Sequence, residues 1–171
     1  MIDNKILNLF FENSNKEFYI REIARVIKIH PNTVMKQVNF LVKEGLLIRK
    51  KTKVTVQISA NIENPKFIYY KRINNLKKIY DSGVIEYLIE KFNHPEAIVL
   101  YGSYSKGEDT EKSDIDIAIV TKRSIELDLT EFEKKLKKSI HLIDIIPSKA
   151  QKEFINNLIN GITLYGNLSV L

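Results

Sequence analysis

The sequence of 171 residues is long enough for one ordinary domain or two small ones, and its 44% hydrophobic and 28% charged residues are typical of a globular protein. The chain has no cysteine, which excludes disulfide bonds, thiolate metal sites and a cysteine nucleophile. No apolar run reaches the length of a membrane span and the N-terminus lacks a signal-peptide pattern, so we expect a cytoplasmic protein without a membrane partner.

The charge is divided unevenly along the chain. Residues 1–80 carry sixteen Lys and Arg against six Asp and Glu, a net charge of +10, whereas residues 81–171 carry eleven against fifteen, a net charge of −4. The basic N-terminal half favours a polyanionic partner, most simply double-stranded DNA. The acidic C-terminal half is compatible with metal and nucleotide chemistry.

The first sixty residues predict three helices followed by a hairpin. Apolar side chains at helical spacing predict helices over residues 4–12, 21–27 and 32–44. Strands are predicted over residues 46–51 and 54–60.

The string REIARVIKIHPNTVMKQVNFLVKEGLLIRK, residues 21–50, resembles the winged helix-turn-helix family. The resemblance implies that residues 1–62 form a DNA-binding domain whose third helix enters the major groove, and that a homodimer reads two half-sites. Polar side chains on the outward face of that helix are suited to base edges, and cations of the wing are suited to phosphates. The predicted DNA-binding residues are Asn32, Thr33, Lys36, Gln37, Arg49, Lys50, Lys51 and Lys53.

The next segment, residues 63–82, is predicted to be a linker helix, because apolar side chains repeat in it at helical spacing until Gly83 ends the run. A second domain is then expected over residues 83–171.

A pattern of glycine, serine and aspartate fills the stretch IVLYGSYSKGEDTEKSDIDIAIV, residues 98–120. An apolar run predicts a buried strand before Gly102, and a second strand carries Asp114 and Asp116. Because side chains alternate along a strand, both carboxylates lie on one face, where they repel each other. A bound Mg²⁺ ion, which prefers carboxylate and phosphate oxygens, would remove that repulsion and predicts a nucleoside triphosphate (NTP) as the ligand.

This stretch resembles the catalytic signature of the DNA polymerase β-like nucleotidyltransferases, and among them the minimal nucleotidyltransferases of bacteria and archaea. The signature is an apolar strand, Gly-Ser, three residues, Gly, and Ser-Asp-x-Asp before a second strand. It implies an α+β chain in which a mixed-sheet, polymerase β-like palm domain follows the winged helix-turn-helix. The nucleotide-binding residues that it implies are Gly102, Ser103, Lys106, Gly107 and Ser113.

Enzymes of this family need a third carboxylate on a neighbouring strand. Asp144, inside the apolar run HLIDII, is the candidate, and Asp114, Asp116 and Asp144 are then the expected metal ligands and catalytic residues. The histidines, His30, His94 and His141, form no zinc pattern and are interpreted as surface or packing residues.

The sequence thus predicts a Mg²⁺-dependent nucleotidyltransferase, coupled to DNA binding. It would move a nucleoside monophosphate from an NTP, with ATP favoured, to an acceptor hydroxyl that the sequence does not identify. The alternative is a DNA-binding transcription regulator or antitoxin. Its nucleotidyltransferase-like domain would bind a nucleotide or a partner protein, such as a toxin, without turnover, as the resemblance also allows.

Overall fold

The computed structural model describes residues 5–51, 55–146 and 149–169. The chain forms two compact units, residues 1–74 and 75–171, and the division falls inside the helix α4, Pro65–Ser82. The domain boundaries expected from the sequence, which give residues 63–82 a segment of their own, stay a prediction. Among the described residues, no helix combines the length and the apolar character that a membrane span requires.

The N-terminal unit is built from short helices followed by a hairpin. Its elements are α1 (Lys5–Glu12), β1 (Phe18–Tyr19), α2 (Ile20–Ile27), α3 (Pro31–Lys43), β2 (Leu47–Lys51), β3 (Val56–Ala60) and the first part of α4. Helix α3 begins where the chain offers a cap: the side chain of His30 accepts a hydrogen bond from the backbone N–H of Asn32, and Pro31 occupies the first turn. The helix therefore lies within one residue of the predicted range at each end.

The core of this unit forms on the face that the apolar spacing marks. Val34, Val38 and Leu41 of α3 are fully buried, in one cluster with Ile23 of α2 and Phe10 of α1. Burial of each such side chain stabilises the folded state by about 1.5–3 kcal/mol. The opposite face of α3 is therefore free to carry polar residues.

A three-stranded antiparallel sheet completes the unit, with the strands in the order β1-β3-β2. The hairpin pairs Leu47 with Ala60 and Lys51 with Val56. Leu47 is buried and every later residue of β2 is exposed, so the strand leaves the core almost as soon as it begins. Both predicted strands are confirmed in the described part of the chain, which does not include residues 52–54.

The C-terminal unit alternates helices and strands, which confirms the α+β class. After the end of α4 its elements are α5 (Val84–Lys91), β4 (Ala97–Tyr101), α6 (Gly102–Lys106), β5 (Ile115–Val120), α7 (Thr130–Leu136), β6 (Ile140–Ile145), α8 (Lys152–Ile159) and β7 (Ile162–Gly166).

The strands of this unit form a mixed sheet in the order β6-β5-β4-β7. Strand β5 pairs antiparallel with β4 and parallel with β6, and β7 pairs antiparallel with β4. The register places Asp116 opposite Tyr101 on one side and His141 on the other. On the same pair of strands, Asp144 is opposite Ile119.

Alternation along β5 divides the core of the unit into two layers. Ile115, Ile117 and Ile119 pack with apolar side chains of α5 and α7 on one face of the sheet. Ala118 and Val120 pack with side chains of α8 on the other face. The sheet is covered on both faces, which explains why every residue of β4 is buried.

Candidate functional site

A glycine lies at each end of the short helix α6. Gly102 has φ +71° and Gly107 has φ +79°, a left-handed conformation that residues with a Cβ rarely adopt. The backbone N–H of Gly107 ends the helix by donating to carbonyl groups of the first turn. The two glycines therefore set where the chain leaves β4 and where it enters the loop before β5.

Gly102 packs directly against Asp116. A Cβ added to Gly102 would overlap Oδ2 of Asp116, closer than real Cβ atoms come to other atoms. The carboxylate of Asp116 thus occupies the space beside the Gly-Ser turn, and only a residue without a side chain fits there.

Asp116 is the central carboxylate of the site. It lies on β5 between Tyr101 of β4 and His141 of β6. Its side chain is 27% exposed, and its Oδ1 atom is 3.3 Å from Nδ1 of His141, whose side chain is 59% exposed. The carboxylate is therefore held between neighbouring strands while it remains accessible to a ligand.

Tyr101 shows the effect of this charge. Burial, and then the negative charge of Asp116, raise the pKa of the Tyr101 phenol above its ordinary value. The ring packs edge-on against Phe154 of α8, with ring centroids 5.5 Å apart. At neutral pH the phenol is therefore neutral and forms part of the wall next to Asp116.

Asp114 ends the loop that leads into β5. It is exposed and is separated from Asp116 by the buried Ile115. The hydroxyl of Ser113 accepts a hydrogen bond of 2.9 Å from the backbone N–H of Thr110 and lies 3.3 Å from the Thr110 hydroxyl. Ser113 thus shapes the loop that presents Asp114, and its predicted contact with nucleotide stays a prediction.

The remaining predicted nucleotide-binding residues lie along α6. Ser103 is half-buried in the first turn, Lys106 is exposed in the last turn, and Gly107 is buried at the helix end. Because α6 begins at the contact with Asp116, Ser103 directly follows the residue that touches that carboxylate.

The structure does not bring Asp144 to the pair. On β6 the partner of Asp116 is His141, and Asp144 follows three residues later. At a rise of about 3.3 Å per residue this places Asp144 about 10 Å further along the strand, and alternation turns it to the opposite face of the sheet. Among the described residues, no group of three His, Cys, Asp or Glu side chains is arranged to hold a metal ion.

Asp114 and Asp116 are the carboxylates that suit a cation at this position. Mg²⁺ is commonly held by one or two carboxylates together with phosphate oxygens and water. Because Gly102 has no side chain, the Asp116 carboxylate fits against the Gly-Ser turn, where a phosphate chain is expected. The donor set therefore fits a Mg²⁺ ion shared with a nucleotide.

A second candidate surface lies on α3 in the N-terminal unit. Asn32, Thr33 and Lys36 are exposed, Gln37 is half-buried, and Phe40 is 47% exposed. The structure brings these side chains to one face of the helix, opposite the buried face. Their contact with DNA stays a prediction.

The predicted wing cations differ in their surroundings, and Arg49 is tied to α3. Its guanidinium donates a hydrogen bond to Oδ1 of Asn39 and lies 4.0 Å from Sδ of Met35. Both partners belong to α3, so Arg49 connects the strand to the helix.

The lysines that follow lie on opposite faces of the hairpin. Lys50 forms an ion pair of 2.6 Å with Glu17. Lys51 is exposed and, by alternation, lies on the face of Arg49 and therefore of α3. Lys53 lies outside the described residues.

Two residues near the carboxylates were not predicted from the sequence. His141 lies beside Asp116 because β6 pairs Ile140 with Ile115, a register that no local sequence pattern marks. Lys138 contacts the loop before Asp114, and no sequence pattern marks that lysine.

A four-stranded mixed sheet with a Gly-Ser turn against an Asp-x-Asp strand defines a nucleotidyltransferase-like domain. Residues 83–168 match the family described as "Polymerase beta, Nucleotidyltransferase". The chain therefore belongs to this nucleotidyltransferase family. No curated protein sequence matches it.

Two solved structures are similar to part of the chain. One, described as "Crystal structure of the toxin-antitoxin with AMP-PNP", is 27% identical, covers 50% of this chain and 73% of its own, and has a TM-score of 0.38. The other, from Sulfolobus solfataricus and described as a nucleotidyltransferase, is 18% identical, covers 56% of this chain and 83% of its own, and has a TM-score of 0.32.

Proposed function

We propose that the C-terminal unit is a Mg²⁺-dependent nucleotidyltransferase that uses an NTP, with ATP favoured, and that the N-terminal unit is a winged helix that binds double-stranded DNA. The observation that carries the first part is the contact between Gly102 and Asp116, because it joins both halves of the family signature in one place. Family membership of residues 83–168 supports the same assignment.

In this proposal Asp114 and Asp116 hold the cation, and Gly102 and Ser103 face the phosphates. A bound Mg²⁺ ion would neutralise phosphate charge and orient the triphosphate. The acceptor hydroxyl oxygen attacks the α-phosphorus, the bond from that phosphorus to the oxygen bridging the β-phosphate breaks, pyrophosphate leaves with that oxygen, and the hydroxyl proton passes to water. The contribution of the protein is then mainly positioning and electrostatics.

The binding step is tested with the full-length protein by calorimetry with ATP, with and without Mg²⁺. We expect Asp116→Asn to weaken Mg²⁺-dependent ATP binding by more than about tenfold, since loss of a metal ligand exceeds the usual effect of a residue that only supports one. Asp128→Asn is the matched control, because Asp128 is an exposed aspartate that accepts from the N–H of Thr130, as Asn also can. Equal loss in both variants would contradict the assigned site.

The transfer step is tested with ATP labelled at the α- or at the γ-phosphate, in the presence of cell lysate. We expect the α-label to appear on a protein, an RNA or a small molecule, which identifies the acceptor class, and the γ-label to appear in pyrophosphate. Transfer of the γ-label to an acceptor would instead indicate a kinase.

A second candidate is nucleotide binding without turnover, in a transcription regulator or antitoxin that acts with a partner protein. The position of Asp144, on the opposite sheet face from Asp116, favours this candidate, because a third carboxylate is then missing from the pair among the described residues. Tight Mg²⁺-dependent ATP binding with no transfer of either label would support it.

The DNA-binding part of the proposal is supported by the polar outward face of α3 and by Lys51 on the same side of the hairpin. Selection from a random duplex pool with the full-length protein would identify a preferred sequence. We expect Asn32→Ala or Gln37→Ala to relax the preference at one position, by about 1–3 kcal/mol for a base contact. Two half-sites about one helical turn apart would indicate a homodimer; no enriched sequence would contradict sequence-specific reading.

A further inference from the structure

The loop between α6 and β5 is anchored by a buried aspartate. Asp109 is 3% exposed, and its Oδ1 atom accepts a hydrogen bond of 2.7 Å from the Asn75 side chain. The same amide donates to the carbonyl oxygen of Tyr104 at 3.1 Å. One end of the loop is therefore fixed to α4 and α6 through a single asparagine.

Lys138 fixes the other end of the same loop. Its ammonium lies 3.4 Å from Oδ2 of Asp109 and donates to the carbonyl oxygens of Thr110 and Ser113, the latter at 3.1 Å. It also lies over the Tyr104 ring, 5.9 Å from the centroid. The peptide that Lys138 holds at Ser113 is the one that leads directly into Asp114.

The backbone around Lys138 is held in turn. The N–H of Lys138 donates to the carbonyl of Glu133 at 3.2 Å, and the N–H of Ile140 donates to the Glu133 carboxylate at 2.8 Å. The carbonyl of Ser139 accepts from the N–H of Ile115 at 2.9 Å. The turn between α7 and β6 therefore carries Lys138 as a fixed group beside the start of β5.

We propose that Lys138 is a positioning residue for the metal site: it holds the loop so that Asp114 stays beside Asp116. This inference rests on the proposed nucleotide binding by the two carboxylates. A loop without regular structure would otherwise let Asp114 move away, since adjacent carboxylates repel each other when no cation is bound. An ammonium that binds the carbonyls of Thr110 and Ser113 opposes this movement.

A purely structural role for Lys138 predicts a different result, and the ion pair makes the two separable. Removing Lys138 alone leaves the buried charge of Asp109 without this partner, which destabilises the unit as well as freeing the loop. Replacing both charges, as Lys138→Met with Asp109→Asn, removes the unbalanced charge but does not restore the contacts with Thr110 and Ser113.

The experiment compares full-length wild type, Lys138→Met, the double variant and the control Lys134→Met, an exposed lysine of α7. Three quantities are measured: the dissociation constant for Mg²⁺–ATP by calorimetry, the thermal unfolding midpoint, and hydrogen exchange of the backbone amides of residues 110–114. We expect Lys138→Met to weaken Mg²⁺–ATP binding at least tenfold and to speed loop exchange, with Lys134→Met unchanged. We expect the double variant to regain unfolding temperature but neither affinity nor slow exchange.

Full recovery of affinity in the double variant, or unchanged loop exchange in Lys138→Met, would overturn the positioning role. If wild type itself binds no Mg²⁺–ATP, the proposed function fails. Loop exchange then still decides whether Lys138 holds the loop, so the two failures are distinguishable.

Discussion

The strands β2 and β5 both carry charges on which a proposed function depends, and they expose those charges in opposite ways. Four of the five residues of β2 are exposed, and its lysines extend into solvent. Every residue of β5 is buried except Asp116, which is half-buried between two neighbouring strands. The charges of β2 are therefore exposed to solvent and screened by salt, whereas the carboxylate of β5 is held between neighbouring strands.

This difference separates two ways of binding phosphate. A polyanion is held by the sum of many weak, screened contacts, so each lysine contributes a small and similar share. A metal and triphosphate need a few groups at fixed distances, so one displaced group removes most of the binding. We therefore expect large effects around β5 and small, graded effects on β2.

The largest effect is expected for Gly102→Ala. The added Cβ would displace the Asp116 carboxylate, and at φ +71° alanine also loses about 1–2 kcal/mol relative to glycine. We expect Mg²⁺–ATP binding to weaken by more than about tenfold, as for loss of the ligand itself. Calorimetry measures the loss of Mg²⁺–ATP affinity, and thermal unfolding measures the loss of stability.

The control is Gly83→Ala, because Gly83 has φ +80° and nothing lies within 4 Å of the added Cβ. Both variants carry the same conformational cost, so a loss of affinity in Gly102→Ala that Gly83→Ala does not show isolates the contact with Asp116. Equal affinities in the two variants would show that this contact is not part of the binding site.

A smaller effect of opposite sign is expected for His141→Asp, which puts a carboxylate where β6 faces Asp116. We expect Mg²⁺–ATP to bind about tenfold more tightly, since carboxylate is a better Mg²⁺ ligand than imidazole. Without Mg²⁺ the added negative charge should lower the unfolding temperature, and Mg²⁺ should restore it. His94→Asp, at an exposed histidine elsewhere in the unit, is the control. Unchanged affinity would show that a side chain at position 141 does not contact the metal.

The sequence predicts β4, β5 and the Gly-Ser turn well because each has a local cause. Apolar runs predict the strands, and Gly102 marks a backbone position that other residues avoid. That Asp114 and Asp116 lie near the Gly-Ser turn follows from the order of these elements in the chain.

The register of β6 is not local, so the sequence does not show that Asp144, expected as the third carboxylate, lies away from Asp116. Two positions of β6, His141 and Asp144, are polar within one apolar run, and sequence alone does not say which of them faces Asp116. The register is fixed by the turn at Lys138 and Ser139, whose contacts join residues far apart in the chain. For the same reason, no local sequence pattern identifies Lys138.

On β2 we expect graded effects that follow the faces of the strand. Lys51→Ala should lower the slope of log affinity for duplex DNA against log salt by about 0.9. Lys50→Ala should lower it less, because Lys50 lies on the opposite face from α3 and must give up its ion pair with Glu17. Fluorescence anisotropy at several salt concentrations measures both slopes. Equal slopes for the two variants and wild type would favour protein contact over DNA as the role of this surface.

The smallest effect is expected for Asp144→Asn. This carboxylate lies on the far face of the sheet from Asp116 and about 10 Å along the strand. At a separation of about 10 Å or more, and with Asp144 itself exposed to solvent, its charge is largely screened at physiological salt. Mg²⁺–ATP affinity should therefore change less than about twofold. Surface substitutions usually change a free energy by no more than about 0.5 kcal/mol, which corresponds to about that factor. Calorimetry beside Asp116→Asn gives the comparison. A loss as large as that of Asp116→Asn would mean that β6 shifts its register when nucleotide binds, and would restore Asp144 as the third ligand.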